Sequence, residues 1–265
     1  LVAVLTLAAC CASAEDYRPV WRSDLGMAAE RIDSTTCRPH AWPDGLQTNV
    51  LFYMPSTRGD YYSYDSASYD LQQPTGVRQP TWDATAHSLY YDGVTNAVWT
   101  NRILLNHQIG TVAAWLNFAV SNKIQAIYST CDEATQQYQG ILLGLYSSGK
   151  LWHYWWGGGM LSDLRGSTVL STGVWHYVVF TSNGTTTCCW VDGIPETLTS
   201  SGGGNNGTWT ADIANRDSVC VGALKWTALN YHFNGYVDDL VVLDVTLTGA
   251  QVTNAYRIAR QVTGR

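Results

Sequence analysis

The sequence predicts an all-β chain: two packed antiparallel sheets closed by a short C-terminal helix. Three observations carry this. Strand-length segments rich in β-branched and aromatic residues recur along the chain, with turn signals between them. No segment has a helical period until the C-terminus. The composition is 46% apolar and 12% aromatic but only 14% charged, which provides a core and leaves Ser, Thr, Asn, Gly and Tyr to carry the polar surface.

In chain order, the strands expected are Val50–Met54, then Ser88–Tyr91, which Asp92-Gly93 ends. Thr111–Phe118 and Lys123–Ser129 follow. Ile141–Tyr146 and Leu151–Trp156 flank the hairpin signal Ser147–Lys150. Val174–Thr181 and Thr186–Val191 flank Asn183-Gly184, a dipeptide suited to a type I′ turn, and Asp192-Gly193 turns the chain again. Ser218–Gly222 and Tyr236–Leu243 complete the ten. Ser201–Gly207 reads as a flexible loop within the domain, since strand patterns continue on both sides. Thr248 and Gln251 fit a capping box, N-cap to N3, and Val252 and Tyr256 then fall one turn apart on one face of the helix.

The sandwich is assigned to residues 46–260, with a leader at 15–45 and a tail at 261–265. Residues 1–14 read as the remnant of a signal peptide: Leu1 to Ala9 is an apolar run too short to span a bilayer, and Ala12-Ser13-Ala14 fits a cleavage site. The alternative is a lipobox ending at Cys10, which would make the protein a lipid-anchored bacterial cell-envelope lipoprotein instead of a secreted one. Of the seven cysteines, Cys10 and Cys11 fall in this segment and five remain, Cys37, Cys131, Cys188, Cys189 and Cys220, an odd number that leaves a thiol unpaired or paired between chains. Cys188 and Cys189 are adjacent in a strand and point to opposite faces. The formal net charge of −6 and the lack of a basic cluster exclude a nucleic-acid binder.

Six short motifs in order resemble the laminin-G-like jelly-roll family of the concanavalin A-like lectin/glucanase superfamily. They are Leu89–Gly93, Thr111–Trp115, Trp175–Val179, Trp190–Gly193, Val219–Gly222, and Phe233–Leu240 followed by Leu247 to Tyr256. The resemblance implies a jelly-roll topology. It also implies a structural calcium held by Asp238, with Asp92 and Gly93 contributing, since many members place a carboxylate on the closing strand. Alternation puts one of Asp238 and Asp239 inward and the other outward, and an inward carboxylate is costly unless paired or coordinating a cation. The competing role for Asp238 is to organise local backbone N–H groups.

Glycosidases of the superfamily use paired carboxylates on one strand face. Here Glu15, Glu30, Glu133 and Glu196 are isolated, and Asp132-Glu133 reads as a solvated turn. His176, beside Trp175, reads as a hydrogen-bonded structural histidine. The chain is therefore expected to be non-catalytic. Trp152, Tyr154 and Trp156 share one face of their strand, with His153 and Trp155 on the other. That row is the candidate carbohydrate platform, and core packing is its alternative. Arg58-Gly59-Asp60 spells an adhesion tripeptide, and Asn183-Gly-Thr185 and Asn206-Gly-Thr208 are glycosylation sequons. The function expected is an extracellular recognition module that binds carbohydrate. The alternatives are a structural or adhesive domain docking on extracellular proteins, and a substrate-targeting appendage of a larger secreted hydrolase.

Overall fold

The structure is a computed structural model that describes residues 50–54, 80–86, 88–100, 107–132, 139–157, 160–226, 228–263 and 265. The signal-like segment, the leader, Cys10, Cys37, Glu133 and Arg58-Gly59-Asp60 lie outside these residues.

Seventeen strands, one α-helix and a short 3-10 turn at Thr210–Asp212 make up the described residues. The first strands are β1 (Val50–Met54), β2 (Thr81–Asp83), β3 (Ser88–Asp92), β4 (Val98–Thr100), β5 (Gly110–Phe118) and β6 (Gln125–Cys131). The middle of the chain forms β7 (Gln139–Leu145), β8 (Leu151–Gly157), β9 (Met160–Arg165), β10 (His176–Ser182), β11 (Thr187–Val191), β12 (Ile194–Pro195) and β13 (Thr199–Gly202). β14 (Ser218–Val221), β15 (Leu224–Lys225), β16 (Leu229–Asn230), β17 (Asn234–Leu243) and α1 (Gly249–Thr263) close it.

Two large antiparallel sheets result. The first has the order β12-β11-β10-β5-β17-β3-β2, with β1 also pairing β17, and the second has the order β13-β9-β8-β7-β6-β14-β4. Strands far apart in sequence are neighbours in both, as a jelly roll requires. All ten expected strands are present, Val50–Met54 with the expected ends and the others with ends shifted by one or two residues. Six of the seven additional strands have only two to four residues, too few to give a periodic signal; the seventh, β9, has six and is paired on both sides. Thr199–Gly202, expected partly as loop, pairs with β9. The loop after it is anchored, because the backbone of Thr187 and the side chain of Asn205 exchange two hydrogen bonds and the Ser182 hydroxyl donates to the Gly207 carbonyl.

Three apolar layers follow from strand alternation. Between the sheets lie Leu116, Phe118, Phe180, Val237 and Leu240 of the first and Ile141, Leu143, Leu151, Trp155 and Val221 of the second. The outer face of the first sheet buries Trp115, Tyr177, Val179 and Val241 against Val252, Tyr256 and Ala259 of α1. The capping box forms as expected: Gln251 N–H donates to Thr248 Oγ1, and Gln251 Oε1 accepts from the Thr248 backbone. The helix runs past the expected boundary at Arg260, to Thr263. The outer face of the second sheet carries a separate cluster, formed by Ala126, Cys131, Leu142, Trp152, Trp156 and Leu224, and among the described residues no helix lies over it.

Two local features fix this arrangement. β17 breaks register against β5 between Asp238 and Val241, and Asp239 adopts φ 48°, a β-bulge. The extra residue resets the alternation, so Val237 and then Leu240 and Val242 all reach the inter-sheet core. Gly222 (φ 80°) ends β14 where a Cβ would lie 2.2 Å from the Tyr91 ring, so no larger residue fits.

Cys188 and Cys189 are free thiols. Cys188 is exposed and Cys189 buried, on opposite faces as adjacency in β11 requires. Asp132 corrects an expectation: it is fully buried rather than solvated, because its backbone N–H continues the β6–β7 ladder to the Gln139 carbonyl.

Candidate carbohydrate-binding face

β8 supplies the centre of the face. Leu151, His153 and Trp155 point between the sheets, where His153 stacks on Trp209 with ring centroids 6.3 Å apart. Trp152, Tyr154 and Trp156 point outward as one row. The row is a stack rather than a flat pavement: Trp152 and Tyr154 lie 4.7 Å apart at 27°, and Tyr154 and Trp156 lie 5.3 Å apart, also at 27°. The rings therefore cover one another's faces, and Trp152 and Trp156 are only 5% and 7% exposed. Tyr154, between them, is half-buried.

Neighbouring elements flank the row on both sides. On β9, Arg165 pairs opposite Trp152 and Asp163 opposite Tyr154. Asp163 accepts the Trp152 indole N–H (2.8 Å) and a two-point contact from Arg165, whose Nε and Nη2 donate at 3.1 and 2.8 Å. The Arg165 guanidinium lies 3.8 Å over the Tyr146 ring, and Tyr146 in turn meets Trp152 edge-on. On the other side the β15–β16 hairpin lies against β6. Ala126 N–H donates to the Tyr231 carbonyl, Ser129 Oγ to the Ala223 carbonyl and the Cys131 thiol to the Lys225 carbonyl. This brings Trp226 to 6.2 Å from Trp156. Burial, with Asp163 and Tyr231 nearby, raises the Tyr154 phenol pKa, so its hydroxyl stays protonated and can both donate and accept.

The expected row was therefore read from sequence, but Tyr146, Asp163, Arg165 and Trp226 were not. The available signal was Met160–Arg165 itself, a strand-length segment soon after β8 whose pairing with β8 places Asp163 and Arg165 beside the row.

Asp238, Asp92 and Gly93 do not converge. Asp92 pairs opposite Asn234, and Asp238 lies four residues further along β17, about 13 Å at the rise of a strand. Asp92 Oδ1 accepts the N–H groups of Val94, Thr95 and Asn96, and its Oδ2 accepts the Thr95 hydroxyl. Burial alone would raise its pKa, but these hydrogen bonds outweigh it and hold the carboxyl below the usual range. The Gly93 carbonyl accepts from Lys123 Nζ at 2.9 Å. Asp238 faces the helix-covered side of the first sheet and pairs with Arg265. Calcium takes six to eight oxygens, and among the described residues no group of three or more His, Cys, Asp or Glu could hold a metal. The described donors do not fit calcium.

The other polar side chains singled out have structural partners. His176 Nδ1 lies 2.9 Å from Asp192 Oδ2, and Asp192 Oδ1 accepts the Tyr177 N–H, tying the β11–β12 turn to β10. Glu196 accepts from Thr168 N–H and from the Ser167 and Thr168 hydroxyls. Asn183 and Asn206 are exposed, and each side-chain oxygen accepts from the threonine hydroxyl of its sequon. Among the described residues, no helix is long and apolar enough to cross a membrane.

A two-sheet jelly roll with one helix-covered face and one aromatic face defines the class. The laminin-G-like model of the concanavalin A-like lectin/glucanases superfamily matches residues 92–253, over half of the chain, and the protein belongs to that superfamily. No curated protein matches the sequence.

Solved structures share the fold at low identity. Domain 4 of AbnA, a GH43 extracellular arabinanase from Geobacillus stearothermophilus in complex with arabinotriose, is 16% identical. Its TM-score is 0.51, over 78% of this chain and 98% of that one. A variant of the NanB sialidase from Streptococcus pneumoniae is 16% identical with a TM-score of 0.50, over 63% of this chain and 27% of that one. The CBM40 of the Ruminococcus gnavus IT-sialidase, bound to α2,3 sialyllactose, is 15% identical with a TM-score of 0.47, over 55% and 80%.

Proposed function

We propose that the protein is a secreted, non-catalytic carbohydrate-binding module whose binding face is the outer face of the second sheet. One observation carries this reading. Of the two outer sheet faces, α1 covers one, and the other presents half-buried Tyr146, Tyr154 and Trp226 beside the Arg165–Asp163 pair. Aromatic rings offer apolar contact to the C–H faces of sugars, and a fixed phenol and guanidinium offer hydrogen bonds to hydroxyls. Because the Trp152 and Trp156 faces are occupied within the stack, they act as the rigid base on which Tyr154 and its flanking groups are held.

The solved structure of similar fold that holds arabinotriose agrees with this role. In the NanB sialidase the matching part is about a quarter of the chain, which supports the substrate-targeting appendage as this module's setting. The carboxylates Asp163, Asp192 and Glu196 are each engaged in structural hydrogen bonds, which supports a non-catalytic role.

A glycan array probed with the chain, followed by titration of the best ligand into Tyr154→Phe and Tyr154→Ala, tests the proposal. Binding should weaken roughly tenfold in Tyr154→Phe, the loss of one hydrogen bond, and further in Tyr154→Ala. Binding to no glycan, or affinity indifferent to both variants, would overturn it.

A further inference from the structure

The family resemblance places a metal at the Asp238 carboxylate, but the surroundings of that carboxylate suit a different cation. Arg265, just beyond α1, turns its guanidinium onto Asp238, with Nη1 against Oδ2. The two side chains are 7% and 4% exposed, so this is a desolvated pair rather than a surface contact. The guanidinium lies 3.7 Å over the Trp175 ring and 6.0 Å from Trp115, and Nη2 donates to the Ala86 carbonyl. Two indoles give a cation flat π surfaces but no oxygen. A guanidinium is planar and weakly hydrated and stacks well on such surfaces, whereas calcium demands a shell of oxygens.

We infer that Arg265 is the resident cation of Asp238: the chain supplies from its own sequence the positive charge that the resemblance assigns to a calcium ion. Alternation from the inward Val237, with Asp238 opposite Trp115, aims the carboxylate at the helix-covered face. Arg265 then ties the segment after α1 to β17 and, through Ala86, to the β2–β3 turn. Calcium is not a component of this site, and docking of the C-terminal segment takes over the role of metal binding. Sequence reading missed Arg265 because a lone arginine after a helix carries no pattern.

Thermal unfolding of the full chain tests this. The wild type should melt at the same temperature in calcium and in chelator. Arg265→Met keeps an apolar stem on Trp175 without the charge, and it should melt roughly 10 °C earlier, the effect of breaking a buried ion pair in a domain of this size. Asp238→Asn should also melt earlier. The double variant should melt no earlier than the worse single one, since both lose the same interaction. Arg265→Lys, which retains the charge without the plane, should fall between wild type and Arg265→Met, and it serves if the harsher variants do not fold. A chelator-induced drop in the wild type that Asp238→Asn abolishes would identify a metal site and overturn the inference. Additive effects of the two single substitutions would overturn it equally.

Discussion

The indole of Trp152 and the phenol ring of Tyr154 stack 4.7 Å apart on the outer face of β8, each hiding a face of the other. Two residues on one strand face thus differ in role although alternation makes them equivalent. Trp152 is nearly buried and bonded through its indole N–H to Asp163, while Tyr154 keeps a polar group at the surface. Trp152→Ala and Trp156→Ala are each expected to cost about 3–5 kcal/mol, the usual penalty for truncating a buried Trp, and denaturant unfolding measures it. Tyr154→Phe should unfold within ~1 kcal/mol of wild type while losing affinity for glycan. Equal destabilisation by all three would show that the whole row is structural.

Acid should weaken the fold through His153. It is fully buried, and burial, only partly offset by the backbone carbonyls of His153 and Thr208, pushes its pKa from 6.5 down to about 4. The unfolded chain binds this proton near pH 6.5 and the folded one only near pH 4. Its contribution is therefore fully present above pH 6.5 and is lost as pH falls towards 4, by about 3 kcal/mol in all. His153→Phe preserves a ring against Trp209 and should flatten this part of a stability–pH profile. An unchanged slope in the variant would assign the acid sensitivity elsewhere.

Asp92 works in a separate window. Its hydrogen-bonded carboxylate contributes stability above its ordinary pKa of 3.8, and that contribution is lost as pH falls below this value. Asp92→Ala leaves three backbone N–H groups without their acceptor and should cost about 1–3 kcal/mol at neutral pH. Asp92→Asn, which keeps one acceptor oxygen, should cost less. Calcium should not change either value. A calcium-dependent melting temperature lost in Asp92→Ala would show that this turn binds the ion.

Gly222→Ala is expected to destabilise by ~3 kcal/mol. The new methyl would press into the Tyr91 ring, and the positive φ adds strain of its own. Differential scanning calorimetry would register this as a drop in Tm, whereas Gly173→Ala, which also has a positive φ but nothing within 4 Å of its Cβ, isolates the backbone part of the cost.

The sequence by itself determined the β-sandwich, the turns at Asp92-Gly93, Asn183-Gly184 and Asp192-Gly193, the capping box at Thr248 and Gln251, and the separation of Trp152, Tyr154 and Trp156 from His153 and Trp155. All of these depend on periods of two or 3.6 residues, or on a backbone angle that few residue types tolerate, and such rules act within a few positions along the chain. Tertiary structure alone decided the rest. Alternation says which side chains share a face but not how their rings tilt, so the stacking of Trp152 on Tyr154 and the burial of Trp156 emerge only from packing. Asp163 and Arg165 reach the row because β9 pairs with β8, and Arg265 reaches Asp238 because α1 docks on the outer face of the first sheet, to which Asp238 points. Those contacts join residues up to 27 positions apart, which no local pattern records.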